Sequence, residues 1–346
     1  MSSEAKQKSA GGMNRGTRIL LRVVIVIVAI ALLMAAAVLI LDRFGRGHMT
    51  DDGSGMRTID TAELDNAGRV RYKGQLYKYN KDITTVLLIG VDSRNKENNA
   101  GTFGASNQSD VDVLAVFDPH TKQITLINVS RDAMVNLEVL DDTGKSVGTA
   151  RAQLALAYAY GEGADVSCDL TRHAVSDLFY DLPIHAYASI YIDGVSDLVG
   201  EMGSVTVTSL DTFGEFTKGQ SVTLTSSNTE AYLRYRSYDL EGNNMRMERE
   251  KQVLTALAKA MLGRVRQKPI SAVNVYNAIR RNVTTDLKTS SILYIARTAA
   301  GMRLNNDVVK LQGESVLGAE DHAEYVVDET ALYELILSVF YTPVNG

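Results

Sequence analysis

Four short islands of this chain have residue types suited to chemistry: Asp92-Ser93-Arg94, Ser109-Asp110, Ser130-Arg131-Asp132, and Tyr232-Leu233-Arg234-Tyr235-Arg236 with Arg246 and Arg249 after it. Their acids and guanidinium groups sit where apolar runs end or helices are predicted to begin, and open α/β sheets bind ligands beyond the ends of their strands. Guanidinium forks match phosphate oxygens bidentately, while carboxylates hold Mg²⁺, which takes phosphate oxygens at the same time. Convergence of these islands would therefore suit a pyrophosphate with a divalent cation, and phosphoryl transfer is the chemistry expected. Taken singly, each island also has a plainer reading. Asp92 can cap a turn, Arg234 and Arg236 can be solvated helix surface, and Arg131-Asp132 can be a surface ion pair worth less than about 1 kcal/mol.

The elements that must position these residues follow from patterning. Val70 to Tyr72 and Gln75 to Tyr79 alternate around Lys73-Gly74, which predicts a hairpin. Val86 to Val91 is a continuous apolar run, as expected of a central strand covered on both faces, and it delivers Asp92 and Arg94. Val111 to Phe117 and Ile124 to Val129 predict two further strands, joined by a turn containing Pro119. Ala150 to Tyr160 and Asp169 to Tyr180 predict helices, the first ended by Gly161. Tyr187 to Ile192 and Val205 to Thr208 predict strands, with a helix between them capped by Asp193. Thr229 to Arg236, Met245 to Gly263 and Thr330 to Tyr341 predict helices. Strand and helix alternate throughout, so the fold class expected is α/β.

The apolar run from Val23 to Leu41 carries no charge across nineteen residues. At about 1.5 Å per residue that spans a hydrocarbon core roughly 30 Å thick. It reads as a transmembrane helix rather than a cleaved signal, whose apolar core is usually shorter. Lys6, Lys8, Arg15, Arg18 and Arg22 precede it against Glu4 alone, so residues 1–22 are expected in the cytoplasm and the remainder outside. Residues 42–68, rich in Gly, Asp, Ser and Thr, are expected to be a tether, with one folded domain over 69–346.

Composition removes several function classes. The 346 residues carry a net charge of −5, which disfavours nucleic-acid binding by bulk charge. Cys168 is the single cysteine and the five histidines are scattered, so neither an internal disulfide nor a zinc site is expected. Gly144-Lys145-Ser146 mimics the end of a phosphate-binding loop, but Val139 stands where its first glycine belongs. No Gly-x-Ser-x-Gly elbow occurs.

Leu88-Ile89-Gly90-Val91-Asp92-Ser93-Arg94, Gln108-Ser109-Asp110, Asn128-Val129-Ser130-Arg131-Asp132, Ala157-Tyr158-Ala159-Tyr160-Gly161 and the arginine cluster from Arg234 to Arg249 together resemble the LytR–CpsA–Psr family of bacterial cell-envelope proteins. The resemblance covers about residues 82 to 262 and extends to the preceding membrane helix. It implies a central mixed β-sheet sandwiched by helices, with an apolar tunnel for a polyprenyl chain. It also implies transfer of a glycopolymer from a polyprenyl-pyrophosphate carrier to peptidoglycan, releasing polyprenyl phosphate. Carried over by position, Asp92 and Asp110 would hold Mg²⁺. Arg94, Arg131, Arg234 and Arg236 would grip the pyrophosphate, with Arg131, Arg234 and Arg236 acting in catalysis, and Arg246 would support that site.

The chain departs from the family pattern at several places. Gln153-Leu154-Ala155 stands for Lys-Ile-Asn, Asn243 for Asp, Glu250 for Gln, Gln108 for Arg, and Ser130 for Pro. These changes make a non-catalytic paralogue, holding lipid-linked glycan or peptidoglycan without turnover, the alternative reading. Transcriptional control is disfavoured, since no helix-turn-helix is evident and the globular part is expected outside the cell. The charge asymmetry about Val23 predicts that a reporter fused after Gly346 is active only outside the cytoplasm. Reporter activity inside would defeat the assignment, because peptidoglycan lies outside.

Overall fold

The structure is a computed structural model describing residues 45–47, 49–91, 107–141, 143–235, 242–305, 307–318 and 322–344. The expected cytoplasmic tail and membrane helix, 1–22 and 23–41, lie outside the described residues, among which no helix is long and apolar enough to cross a membrane.

An N-terminal ribbon is built from β1 (Ala62–Leu64), β2 (Val70–Tyr72) and β3 (Gln75–Tyr79). Strands β2 and β3 pair antiparallel about Lys73 and Gly74, whose positive φ angles of 47° and 80° match the twist of a tight hairpin. The expected tether over 42–68 is largely bound to the domain where it is described. Strand β1 pairs with β2, Met49 and Met56 are buried, and Arg57 Nη2 donates to Asp177 Oδ1 at 2.7 Å. Low apolar periodicity concealed this, because two methionines and one arginine suffice to pin an irregular segment.

The central strands follow: β4 (Thr84–Val91), β5 (Ser109–Asp118) and β6 (Gln123–Val129). After them come β7 (Met134–Leu140) and β8 (Ser146–Gln153), then helices α1 (Leu154–Ala159) and α2 (Ala164–Leu178). The helix expected over 150–160 is therefore strand up to Gln153. Alanine favours helix intrinsically, but pairing of β8 along β7 overrides that preference. Gly144-Lys145-Ser146 lies at the turn of this hairpin, where Asp141 Oδ1 accepts from the backbone N–H groups of Thr143 and Lys145 at 2.9 and 3.0 Å. That is turn geometry, not a phosphate loop at a helix start.

The chain continues through β9 (Ala186–Tyr191), α3 (Ile192–Glu201), β10 (Val205–Thr208), β11 (Ser221–Leu224), α4 (Thr229–Arg234), α5 (Gly242–Gln267) and α6 (Ser271–Ile279). It closes with β12 (Val283–Thr285), α7 (Thr289–Ala300), β13 (Arg303–Leu304), β14 (Val309–Lys310), the hairpin β15 (Gly313–Leu317) and β16 (Ala323–Val327), α8 (Glu329–Phe340) and β17 (Tyr341–Pro343). Asp193 sits in the first turn of α3 rather than at its cap, whereas Asp328 caps α8, its Oδ1 accepting from Ala331 N.

The main sheet has the order β12-β9-β4-β5-β6-β13, with β14 also pairing with β6. It is mixed: β4 runs antiparallel to β5 and parallel to β9. Strand alternation sends Leu87, Ile89, Leu114 and Val116 to one face, where they pack with Tyr158, Val175 and Ile336 of α1, α2 and α8 and with Phe179 just after α2. Val113, Ala115 and Leu126 go to the other, against Leu262 and Val265 of α5 and Ala296 of α7. Cys168 is buried in the first layer, and burial pushes its thiol up to about 12, so it is an inert filler.

Behind the start of β4, the Thr85 backbone N–H donates to His185 Nδ1 at 3.1 Å. Burial lowers this imidazole from 6.5 to about 4. The unfolded chain thus binds a proton that the folded chain refuses, so the stabilisation is complete above about pH 6.5 and is lost as pH falls toward 4, up to about 3 kcal/mol. The thermal midpoint should therefore fall more steeply from pH 6.5 to 4.5 in the wild type than in His185→Gln. Parallel slopes would remove His185 as the source.

Candidate active site at the mouth of an apolar tunnel

Because β5 runs against both β4 and β6, the end of β4, the start of β5 and the end of β6 share one edge of the sheet. Asp110 reaches this edge by a β-bulge. Gly90 pairs with Val111 and Val91 pairs with Ser109, which leaves Asp110 as the extra residue of β5. Such a bulge re-aims a side chain, and Asp110 lines the same cavity as its neighbour Val111 instead of alternating away from it.

Its carboxylate is shared by two arginines. Oδ1 is paired with Arg131 Nη1, and Oδ2 accepts from Arg246 Nη1 at 3.2 Å. Arg131 Nη2 also donates to Gln108 Oε1 at 2.5 Å, and its Nε lies 3.7 Å from Asp132 Oδ1. Arg246 Nε lies 3.6 Å from Glu250 Oε1, one helical turn along α5. The Arg246 side chain is only 4% exposed and that of Asp110 9%, so this is an interior ion pair. Asp132 is half-buried, and burial raises its carboxyl against the opposing pull of Arg131 and Arg246. Asp112 points away from the cavity into the opposite layer, where Ser109 Oγ donates to its Oδ2 at 2.8 Å and full burial pushes it up to about 7.

Arg234 is the last residue of α4, earlier than the helix end expected at 236, because Tyr235 turns to extended backbone with ψ of 132°. Its Nη1 lies 3.2 Å from Glu230 Oε1, and the side chain lines the cavity mouth. Arg249 does not reach the mouth. Fully buried, it pairs with Asp211, donates to the Tyr235 carbonyl oxygen, and stacks 5.3 Å from the Tyr235 ring and 5.7 Å from Phe213. It fixes the backbone immediately after Arg234. Position on α5 marked Arg249, but Asp211 and Phe213 lie in the distant β10–β11 connection and Tyr235 just after α4, so they leave no local signal.

Of the residues expected at the site, the structure brings Asp110, Arg131 and Arg246 into one cluster, with Arg234 lining the same cavity. Asp92, Arg94 and Arg236 lie outside the described residues, as does the Asn243 side chain. Gln153, where the family has lysine, donates from Nε2 to the Ala323 carbonyl at 2.6 Å and ties β8 to β16.

Behind the mouth runs a cavity of about 640 Å³ between the sheet and α3, α5, α6 and α7. Val86, Leu88, Val113, Ala115, Val253, Leu257 and Met261 are among its walls, while Asp110, Arg234, Arg246 and Glu250 mark its charged end. A charged mouth on an apolar bore fits an amphiphile with an anionic head. Among the described residues no group of three or more His, Cys, Asp or Glu side chains gathers for a metal. Mg²⁺ needs no such cage, since it is usually bound by one or two carboxylates plus substrate phosphates and water, and Asp110 fits that role.

The family model of the LytR_cpsA_psr family matches residues 54–336. A TagU of Enterococcus faecalis, named a polyisoprenyl-teichoic acid–peptidoglycan teichoic acid transferase, is 30% identical over 75% of this chain and 80% of its own. A protein of the same name from Oceanobacillus iheyensis is 28% identical over 69% of each chain. Among solved structures, gbs0355 of Streptococcus agalactiae superposes with a TM-score of 0.60 at 21% identity, covering 74% of this chain and 86% of that one. TagV of B. subtilis gives 0.55 at 22% identity, covering 74% and 95%. The two likenesses of structure support a shared fold, and with a family model spanning nearly the whole described domain the chain belongs to the LytR–CpsA–Psr family.

Proposed function

We propose that this chain transfers a glycopolymer from a polyprenyl-pyrophosphate carrier to peptidoglycan, as a single-pass membrane protein with its domain outside the cytoplasm. The observation that carries the reading is the charged mouth of Asp110, Arg131, Arg234 and Arg246 on a bore walled by apolar side chains. The names of its relatives, teichoic acid transferases acting between a polyisoprenyl carrier and peptidoglycan, support the same direction of transfer. Val23 to Leu41 would anchor it beside its lipid substrate.

In the transfer, a peptidoglycan hydroxyl oxygen attacks the phosphorus that bears the glycan. The bond from that phosphorus to the bridging oxygen breaks, and polyprenyl phosphate leaves with the bridging oxygen and its electron pair. The hydroxyl proton passes to a base or to water. Arg131, Arg234 and Arg246, with Arg94 and Arg236, neutralise charge on the pyrophosphate as it develops on the leaving group. Asp110, with Asp92, would hold Mg²⁺, which supplies further charge stabilisation when bound. The apolar bore holds the part of the chain nearest the head and so fixes how far the head can enter, which orients the reacting bond at the mouth.

The deciding assay is release of polyprenyl phosphate from a lipid-linked glycan given peptidoglycan and Mg²⁺. Arg131→Lys keeps the charge and loses the fork, so turnover should fall about 10²-fold or more, with a smaller loss of lipid affinity. Wild-type binding without release, unchanged in the lysine variant, would favour the non-catalytic paralogue. Asp110→Ala should abolish Mg²⁺-dependent binding. It should also lower stability by about 3 kcal/mol, because Arg131 and Arg246 then face each other without their counter-charge. Mg²⁺-dependent binding that survives this change would reduce Asp110 to a structural partner.

A further inference from the structure

The cavity has a second end, opposite the charged mouth. Phe117 lies seven residues along β5 from Asp110, about 24 Å at the rise of an antiparallel strand. There the lining passes to Val86, Phe117, Leu287, Ile292 and Ile295. Met49, only 1% exposed, packs with Val86, Ala186 and Tyr294, and Leu287, Phe117 and Ile295 pack against the same cluster. The Met49 carbonyl accepts from Thr84 Oγ1 at 2.7 Å. Gly45 lies so close to the start of α7 that a Cβ there would meet Ser290 O at 2.7 Å and Tyr294 Cβ at 2.8 Å. Gly45 and Met49 therefore belong to a segment packed directly behind this end of the cavity.

That segment directly follows the apolar run. Gly45 is four positions beyond Leu41, hence within about 14 Å of its end even if the chain is fully extended. An anchored domain must then turn this end of the cavity toward the bilayer. A cavity of about 640 Å³ is of the ~300–1,000 Å³ class that encloses a drug-sized molecule, not a long polyprenyl chain. The excess cannot leave through the mouth, where Asp110, Arg234, Arg246 and Glu250 surround it with charge.

We propose that Met49, Leu287 and Ile295 form a membrane-side outlet, through which the distal part of a long polyprenyl chain passes from the cavity into the bilayer. The outlet rests on the carrier reading above and deepens it by naming where the distal end of the lipid leaves the cavity. Methionine suits the position, because its unbranched, three-bond side chain can swing aside without a cavity of fixed shape.

The test compares farnesyl phosphate, short enough to stay inside, with undecaprenyl phosphate. Both are offered to the full chain in vesicles of phosphatidylethanolamine and phosphatidylglycerol. Met49→Trp, which fills the outlet, should weaken undecaprenyl phosphate at least about tenfold while leaving farnesyl phosphate within about twofold. Equal effects on the two lipids in a variant that melts like the wild type would overturn the outlet. A second measurement needs no substitution: a photoreactive group at the distal end of the long lipid, bound to wild type, should cross-link to phospholipid and to residues 45–50. Cross-links confined to inner-wall residues such as Leu254 and Val275, or to the mouth, would show the chain folded inside and overturn it equally. Failure of wild type to bind either lipid would instead defeat the carrier reading, and the outlet with it.

Discussion

Two guanidinium groups from separate elements cannot face each other in a secluded cleft without a counter-charge, and Asp110 supplies it. Arg131 arrives at the end of β6 and Arg246 from the first turns of α5, and one carboxylate on a bulge of β5 binds both. Burying charge is costly unless it is paired and hydrogen-bonded, so this contact ties α5 to the sheet edge. The helix it anchors is also the longest wall of the apolar cavity. Charged mouth and apolar bore are thereby fixed relative to each other by a single interaction. A guanidinium carries five N–H donors, so sharing one carboxylate does not exhaust what either arginine can offer to phosphate oxygens.

Parts of this arrangement were legible in the amino-acid order because their causes are local. Strands β4, β5 and β6 announce themselves as apolar runs that end in Asp92, begin near Asp110 and end before Arg131. The β2–β3 hairpin follows from Lys73-Gly74, and α8 from the Asp328 cap. What escaped has non-local causes. The stretch from Ala150 to Gln153 reads as the start of a helix until β7 is present to pair with it. The two-residue strands β13 and β14 have no pattern of their own and exist because β6 offers an edge.

The site shows the same division. Asp110, Arg131, Arg234 and Arg246 could be grouped from residue type and spacing. The bulge that turns Asp110 toward the cavity could not, since a regular strand would send Asp110 and Asp112 to one face. Nor could the clamp of Arg249 on Asp211 and the Tyr235 carbonyl, which joins residues 38 and 14 positions apart. That clamp has a consequence for the mouth: it holds the extended turn after α4, so Arg234 is presented from a fixed backbone rather than from a loose helix end. Gln153 is informative in the opposite sense, because its bond to Ala323 shows this position working as a tie between two strands, where the family pattern has a cation.

The shape of the cavity adds a constraint that no single residue carries. An anionic head is excluded from a low-dielectric bore, while an apolar chain is disfavoured at a charged mouth. A ligand with both parts can therefore rest in only one register, with its head at Asp110, Arg131 and Arg246 and its chain along Val113, Ala115 and Leu257. On the carrier reading, positioning of the reacting phosphorus is then achieved by solvation as much as by contact. The protein need not recognise the glycan in order to align the bond that breaks. The sugar would then stay outside the bore; the β15–β16 hairpin lies beside the mouth, the Tyr325 N–H donating to the carbonyl of Asp132 next to Arg131. On that reading, what the bore selects is the carrier, and the polymer would be met only beyond the mouth, on a surface the bore does not shape.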